Sequence, residues 1–204
     1  MQIKYLNKKN NKNVIVFFNG WGFDENSIKH LVFENFDVIV CYDYSTLSPI
    51  DIDFSSYENK YLIAWSFGVF ISNYYFENFK NFNKIIAING TQKPIDDNYG
   101  IPVLAYNLTL NNFNEKTCMK FVQKIGINFQ LSRSIEALKQ ELYMVKNLEI
   151  SNFLNFTKAI ISKKDRIFPY KNQINFWTQQ KVQIEEIESN HYPFGLYKAW
   201  SDLI

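Results

Sequence analysis

Tyr61-Leu62-Ile63-Ala64-Trp65-Ser66-Phe67-Gly68-Val69 decides how this chain is read. Tyr61 to Ala64 is a continuous apolar run without alternation, the pattern of a strand buried on both faces. Small-X-Ser-X-Gly then spans Ala64 to Gly68, and the aromatic stretch from Phe67 to Phe79 reads as helical. A strand that turns sharply into a helix at a serine lifts the hydroxyl above the sheet edge. The small flanking residues let backbone press on backbone in such a turn. The helix that follows would aim its N-terminal amides and its positive dipole end at the same hydroxyl. A serine beside a glycine is by itself an ordinary turn; the strand before it and the helix after it set this one apart.

Other short β-rich runs flank this segment: Val14 to Phe18, Val38 to Tyr42, Lys84 to Ile88, Val103 to Tyr106, Ala159 to Ser162 and Val182 to Ile187. Longer stretches, such as Asn26 to Phe33 and Asn172 to Gln180, lie between them. Strands alternating with helices predict an α/β fold, a mostly parallel sheet with helices on both faces. Ile3 to Leu6 would add an antiparallel edge hairpin with the next strand across the polar loop Asn7 to Asn13. No strand is predicted over about 107–151. Glu115 to Gly126 reads as a helix with Gly126 as C-cap. Ile135, Leu138, Leu142 and Val145 form an amphipathic stripe with Ser134 as N-cap. These are either ordinary surface helices or an inserted helical lid over the carboxyl ends of the strands, where open α/β sheets bind ligands.

The chain has 204 residues, 47% hydrophobic and 18% aromatic, enough apolar material to exclude a disordered chain. Length permits a single domain spanning 1–204. Lys+Arg 22 against Asp+Glu 20 leaves a net charge of +2, too near balance for a dedicated nucleic-acid binder. Cys41 and Cys118 form neither a disulfide framework nor a zinc ribbon, and no metal or cofactor is expected. No apolar leader follows the first basic residues and no stretch is long enough to span a membrane, so a soluble cytoplasmic chain is expected; the sequence leaves the oligomeric state open, with a monomer favoured.

A serine nucleophile needs a base, and His30 and His191 are the only histidines. In serine hydrolases built on such a sheet the order is Ser, then Asp or Glu, then His. His30 precedes Ser66 and falls on a predicted surface helix. His191 lies in Glu188-Ser189-Asn190-His191-Tyr192-Pro193-Phe194, beyond the last strand, where a loop can bring an imidazole over the sheet edge. The acid should lie between Ser66 and His191. Asp165, in Lys163-Lys164-Asp165-Arg166-Ile167-Phe168-Pro169 after a strand, is best placed to fix the imidazole tautomer. An ordinary ion pair with Arg166 is the competing role for it, and Glu185, Glu186 and Glu188 lie nearer in sequence. Asn19-Gly20-Trp21-Gly22 follows the strand Val14 to Phe18. Such a turn is where these enzymes place one oxyanion-hole amide, the other coming from the residue after the nucleophile. The candidate donors are the N–H groups of Trp21 and Phe67; a turn that simply packs an indole on the core would look the same.

Together, Asn19-Gly20-Trp21-Gly22, Trp65-Ser66-Phe67-Gly68, Asp165 to Pro169 and Asn190 to Phe194 resemble the α/β-hydrolase superfamily. More narrowly, they are similar to the compact pimeloyl-acyl-carrier-protein methyl ester esterases of biotin synthesis. Ala64 and Asn19 depart from the Gly-Trp-Ser-X-Gly and His-Gly-Trp-Gly of larger members. The resemblance implies an α/β-hydrolase fold with a short lid at about 107–151. It also implies serine carboxylesterase chemistry on a carrier-bound ester by Ser66, Asp165 and His191, with no cofactor. The partner would be an acidic acyl carrier protein, met by a basic rim of Lys116, Lys120, Lys124, Arg133, Lys139 and Lys146. Trp21, Trp65, Phe67, Phe113, Phe121, Phe129, Arg133 and Tyr143 would line the substrate channel, although these basic and aromatic residues equally suit a solvated face and a core. A thioesterase, a small-ester carboxylesterase and a catalytically silent ligand-binding protein remain alternatives on the same residues.

Overall fold

The computed structural model describes residues 1–127 and 131–204. Its centre is a seven-stranded sheet of β1 (Gln2–Asn7), β2 (Asn13–Phe18), β3 (Phe36–Tyr42), β4 (Asn59–Trp65), β5 (Lys84–Ile88), β6 (Lys158–Ser162) and β7 (Gln183–Ile187). The spatial order is β1-β3-β2-β4-β5-β6-β7, with every neighbouring pair parallel except β1 and β3. The strands named in the sequence are therefore present, with one exception taken up below. Successive residues of each inner strand enter opposite cores. Val14, Val16, Phe18, Leu62 and Ala64 pack on one face, and Ile15, Phe17, Ile63 and Trp65 on the other. All are essentially inaccessible, which is why these strands read as unbroken apolar runs.

β1 is antiparallel at the sheet edge, but it pairs with β3 and not with β2 as the short connection predicted. The reason is occupancy: β2 carries parallel neighbours on both edges, β3 and β4, and has no free ladder to offer.

Helices fill the connections. After Ser66 come α1 (Phe67–Ile71), a 3₁₀ turn over Ser72–Tyr75 and α2 (Phe76–Phe79), in place of one continuous helix. Buried Asn73 marks the break. Its amide donates to the Val69 and Phe70 carbonyls, while its Oδ1 accepts from Gln92 and from the Leu154 backbone. Asn26 to Phe33 holds only a 3₁₀ turn, Glu25–Ser27, so the predicted helix there is absent. Val32 instead bridges Ala199, which ties this segment to the carboxyl-terminal turns.

Between β5 and β6 lie α3 (Val103–Asn112), α4 (Glu115–Ile125) and α5 (Ile135–Asn147), followed after β6 by α6 (Tyr170–Gln179). The strand predicted over Val103 to Tyr106 is the first turn of α3, so this helical segment begins four residues earlier than 107. Pro102 sits at the N-cap of α3 with φ −53°, and Tyr106 and Leu110, spaced by four, are its buried residues. No slot is left for a strand here, because β5 pairs directly with β6. The caps of the other two helices follow the sequence. Gly126 closes α4 at φ 86°, a conformation a side chain would strain, and Ser134 accepts from Ala137 N–H at the start of α5. Leu138, Leu142 and Val145 are the buried stripe of α5. Among the described residues no helix is long and apolar enough to cross a membrane.

Candidate active site

Ser66 caps β4 with φ 58° and ψ −124°, a backbone conformation that costs a non-glycine residue roughly 1–3 kcal/mol. Its surroundings hold it there. Ser66 N–H donates to Ile88 O at 2.9 Å, and Val69 N–H closes back on Ser66 O. At Gly68 a Cβ would collide with the Phe18 and Asn19 carbonyls, so the helix that leaves the turn lies on the end of β2 only because residue 68 has no side chain. This close backbone approach is what requires the small residue two positions after the serine.

Three strand ends bring the polar groups together. His191 Nε2 lies 2.9 Å from Ser66 Oγ, and Nδ1 lies 2.8 Å from Asp165 Oδ2. Asp165 is held in the turn after β6, where Oδ1 accepts Ile167 N–H at 2.7 Å and Phe168 N–H at 3.0 Å. A carboxylate facing Nδ1 puts the imidazole proton on that nitrogen and leaves the Nε2 lone pair for the serine hydroxyl. The backbone of the histidine is fixed as well: His191 O accepts from Trp65 Nε1 at 2.9 Å and from Asn89 Nδ2 at 2.9 Å. All three side chains are buried. His30 is elsewhere, exposed, with Nε2 2.9 Å from Phe194 O. Glu185 pairs with Lys158, Glu186 with Tyr170 Oη, and Glu188 with Lys163 and Lys164. None of them competes with Asp165 for the histidine.

The turn after β2 is shaped by Asn19, whose Oδ1 accepts Gly20 N–H and whose Nδ2 donates to Asp24 O and Ser27 Oγ. Trp21 follows, its indole donating to Leu138 O at 2.9 Å on α5. The backbone N–H groups of Trp21 and Phe67 have no acceptor among the described residues. Both residues are buried and line the same cavity as Ser66.

Above Ser66 lies a cavity of about 490 Å³, walled chiefly by aromatic and aliphatic side chains from α3, α4 and the turn at Trp21. Of the residues expected to line a channel, Trp21, Trp65, Phe67, Phe113 and Phe121 do so, and Phe129 lies outside the described residues. Trp65 contributes little free surface; its indole is spent on the histidine loop.

Two expected contacts are corrected. Arg133 is drawn inward to Glu141 and Asp43, both at 2.5 Å, and does not line the cavity. Glu141 is fully buried, which pushes its carboxyl above the ordinary range, and the nearby guanidinium opposes that shift. A buried charge demands such a partner, and this demand overrides a rim position for Arg133. Tyr143 is 52% exposed beside Met144 and Asn147, on a different face of α5. Of the basic residues, Lys120 and Lys124 line the cavity, whereas Lys116, Lys139 and Lys146 do not. Lys146 donates to Asn107 Oδ1 instead.

Arg166, Asn89 and Gln173 were missed. Arg166 lines the cavity, and Gln173 donates to Asp165 Oδ2 at 3.1 Å. The signal for Gln173 was available: it shares a helical face with Phe176 and Trp177, the buried side of α6.

A family model described as pimeloyl-ACP methyl esterase BioG matches residues 1–203. Malonyl-[acyl-carrier protein] O-methyltransferase of Bacteroides fragilis (strain 638R) is 38% identical over 201 residues. That match covers 92% of this chain but only 41% of the relative, so the chain spans less than half of that protein's length. The crystal structure of SeMet-BioG from Haemophilus influenzae superposes with a TM-score of 0.89 at 31% identity, covering 100% of this chain and 99% of that one. An esterase from Exiguobacterium antarcticum, at TM-score 0.66 and 15% identity over 93% of this chain and 87% of its own, shares the fold. With its seven-stranded sheet and these neighbours, the chain has the α/β-hydrolase fold and belongs to the BioG family of pimeloyl-acyl-carrier-protein methyl esterases.

Proposed function

We propose that this chain is a serine carboxylesterase that hydrolyses the methyl ester of a pimeloyl group carried on acyl carrier protein. The observation that carries the reading is the unbroken relay from Ser66 Oγ through His191 to Asp165, set at the head of an apolar cavity. In this reading Ser66 Oγ attacks the ester carbonyl as His191 Nε2 takes its proton. The oxyanion settles between the Trp21 and Phe67 N–H groups, worth about 3 kcal/mol for each donor that is lost. Methanol departs with the proton from His191. Water, deprotonated by the same nitrogen, then attacks the acyl-enzyme, and the free carboxylate leaves with Ser66 restored. Asp165 holds the imidazole in its tautomer and stays ionised throughout.

The residues 1–204 act as one domain in this reading, with α3 to α5 as a lid over the site. The methylenes of the acyl chain lie along Phe113, Phe121 and Leu108 and its carrier arm leaves past α4. Lys120, Lys124 and Arg166 border this route and have no carboxylate partner among the described residues, which suits an acidic carrier. Such a biosynthetic reaction belongs in the cytoplasm and requires no cofactor.

The test is the intact mass of methyl-pimeloyl carrier protein after incubation. Loss of one CH₂ with the acyl group still attached is the expected result. Release of monomethyl pimelate from the carrier would mean thioester cleavage and would overturn the ester assignment.

A further inference from the structure

Asp165 meets four donors, and one comes from outside its own loop and outside the relay. Ile167 and Phe168 N–H groups occupy Oδ1, His191 Nδ1 reaches Oδ2, and Gln173 Nε2 reaches the same Oδ2 at 3.1 Å. Gln173 is fully buried on α6, and its amide nitrogen also donates to Phe168 O at 2.8 Å. Its Oε1 has no partner among the described residues. Turning the amide over would set that oxygen against two acceptors, so the chemistry allows one orientation. A buried carbonyl without a donor costs free energy that leucine in the same space would not. Packing therefore does not explain this side chain, whereas its contact with a buried carboxylate does. A cationic donor here would draw off the Asp165 charge that the imidazole needs. A neutral amide supplies a hydrogen bond and leaves that charge in place.

The geometry points to Gln173 as a positioning residue for the acid–base pair. Its amide saturates the second lone pair of Asp165 Oδ2, so that the remaining one is aimed at His191 Nδ1–H and Nε2 is held toward Ser66. The inference rests on the Ser66, His191 and Asp165 reading given above and adds a member behind it.

Gln173→Leu and Gln173→Met in the full chain remove both donors at similar volume. Each is assayed with p-nitrophenyl butyrate across the acid limb of the pH profile, beside its melting temperature and the downfield Nδ1–H proton resonance of His191. The expected result is a kcat lower by roughly ten- to a hundredfold with KM unchanged. The acid limb of kcat/KM should move to higher pH, because a carboxylate relieved of one donor holds the imidazole proton more strongly. The His191 resonance should shift with it. A folded variant with wild-type kcat overturns the proposal. So does a loss that follows the melting temperature alone while limb and resonance stay in place. Should the leucine variant not fold, the unbranched methionine supplies the same readings. Ser66→Ala in parallel separates the two levels. Full activity there would sink the relay itself, whereas an inactive Ser66→Ala beside a wild-type-like Gln173→Leu overturns only the role of Gln173.

Discussion

Arg133→Met tests the claim that this arginine is a strut and not a substrate contact. The guanidinium is shared between Glu141, whose side chain is fully inaccessible, and Asp43, which is partly exposed. Removing one partner of a buried pair costs about 3–5 kcal/mol, because the other charge is left uncompensated. The lower end applies here, since the site opens at Asp43 and Glu141 can take up a proton. About 3 kcal/mol lowers the melting temperature of a chain this long by about 6–12 °C. The deficit should depend on pH in a stated direction. Burial raises the Glu141 carboxyl above its ordinary range even with Arg133 present, so the folded state binds this proton more tightly than the unfolded. The stability that Glu141 contributes is complete below the ordinary carboxylate pKa and is lost as pH rises through the raised value. Without Arg133 the raised value climbs further, so the variant should fall further behind wild type as pH increases and approach it in acid. Arg133→Met/Glu141→Leu should recover much of the loss, apart from the acceptor that Tyr44 N–H gives up. Thermal melts over a pH series give the stability, and kcat and KM for the carrier-bound ester, taken well below the melt, give the function. An unchanged melting temperature with a raised KM would refute the strut and return Arg133 to the substrate.

Asp165→Asn keeps the shape but favours the wrong imidazole tautomer, and kcat should fall by about 10⁴-fold with little change in KM, measured on a p-nitrophenyl ester. Lys120→Glu/Lys124→Glu should raise KM for the carrier-bound ester, more so at low salt, and spare the small ester; equal effects on both substrates would place the damage in α4 instead. Gly68→Ala drives a Cβ into the Phe18 and Asn19 carbonyls, so it should cost both stability and kcat, read by thermal melt and ester turnover. Trp65→Phe removes the indole donor to His191 O and should lower kcat beyond what its stability loss accounts for, with turnover compared at matched distance below each melting temperature.

Much of the sheet and the polar relay is written in local sequence. Strands buried on both faces advertise themselves as apolar runs, and the turn at Ser66 needs small residues at fixed offsets. The scarcity of histidine made chain order decisive. What escaped depends on contacts distant in sequence. Val103 to Tyr106 has strand-like composition, and only the direct pairing of β5 with β6 shows that no slot exists for it. The partner of β1 was set by the two occupied edges of β2, which no local pattern reports. Arg133 looked like a free cation because Asp43 lies far off in sequence and Glu141 is two helical turns away, on a face that also carries Leu138 and Leu142. Trp65 borders the cavity as expected, but no local signal reports that its indole N–H also anchors the histidine loop through a carbonyl 126 positions later. Gln173 lies on the helix face that carries Phe176 and Trp177, and its partner Asp165 sits in the preceding loop, a contact no periodicity reports.

Ser66 is the nucleophile proposed for the carrier-bound methyl ester. The most direct measurement is the mass of intact methyl-pimeloyl carrier protein, incubated with equal amounts of wild type and of folded Ser66→Ala. Wild type should remove one CH₂ from the carrier-bound acyl group while Ser66→Ala leaves the ester whole. Demethylation by Ser66→Ala at the wild-type rate would contradict the assignment of Ser66.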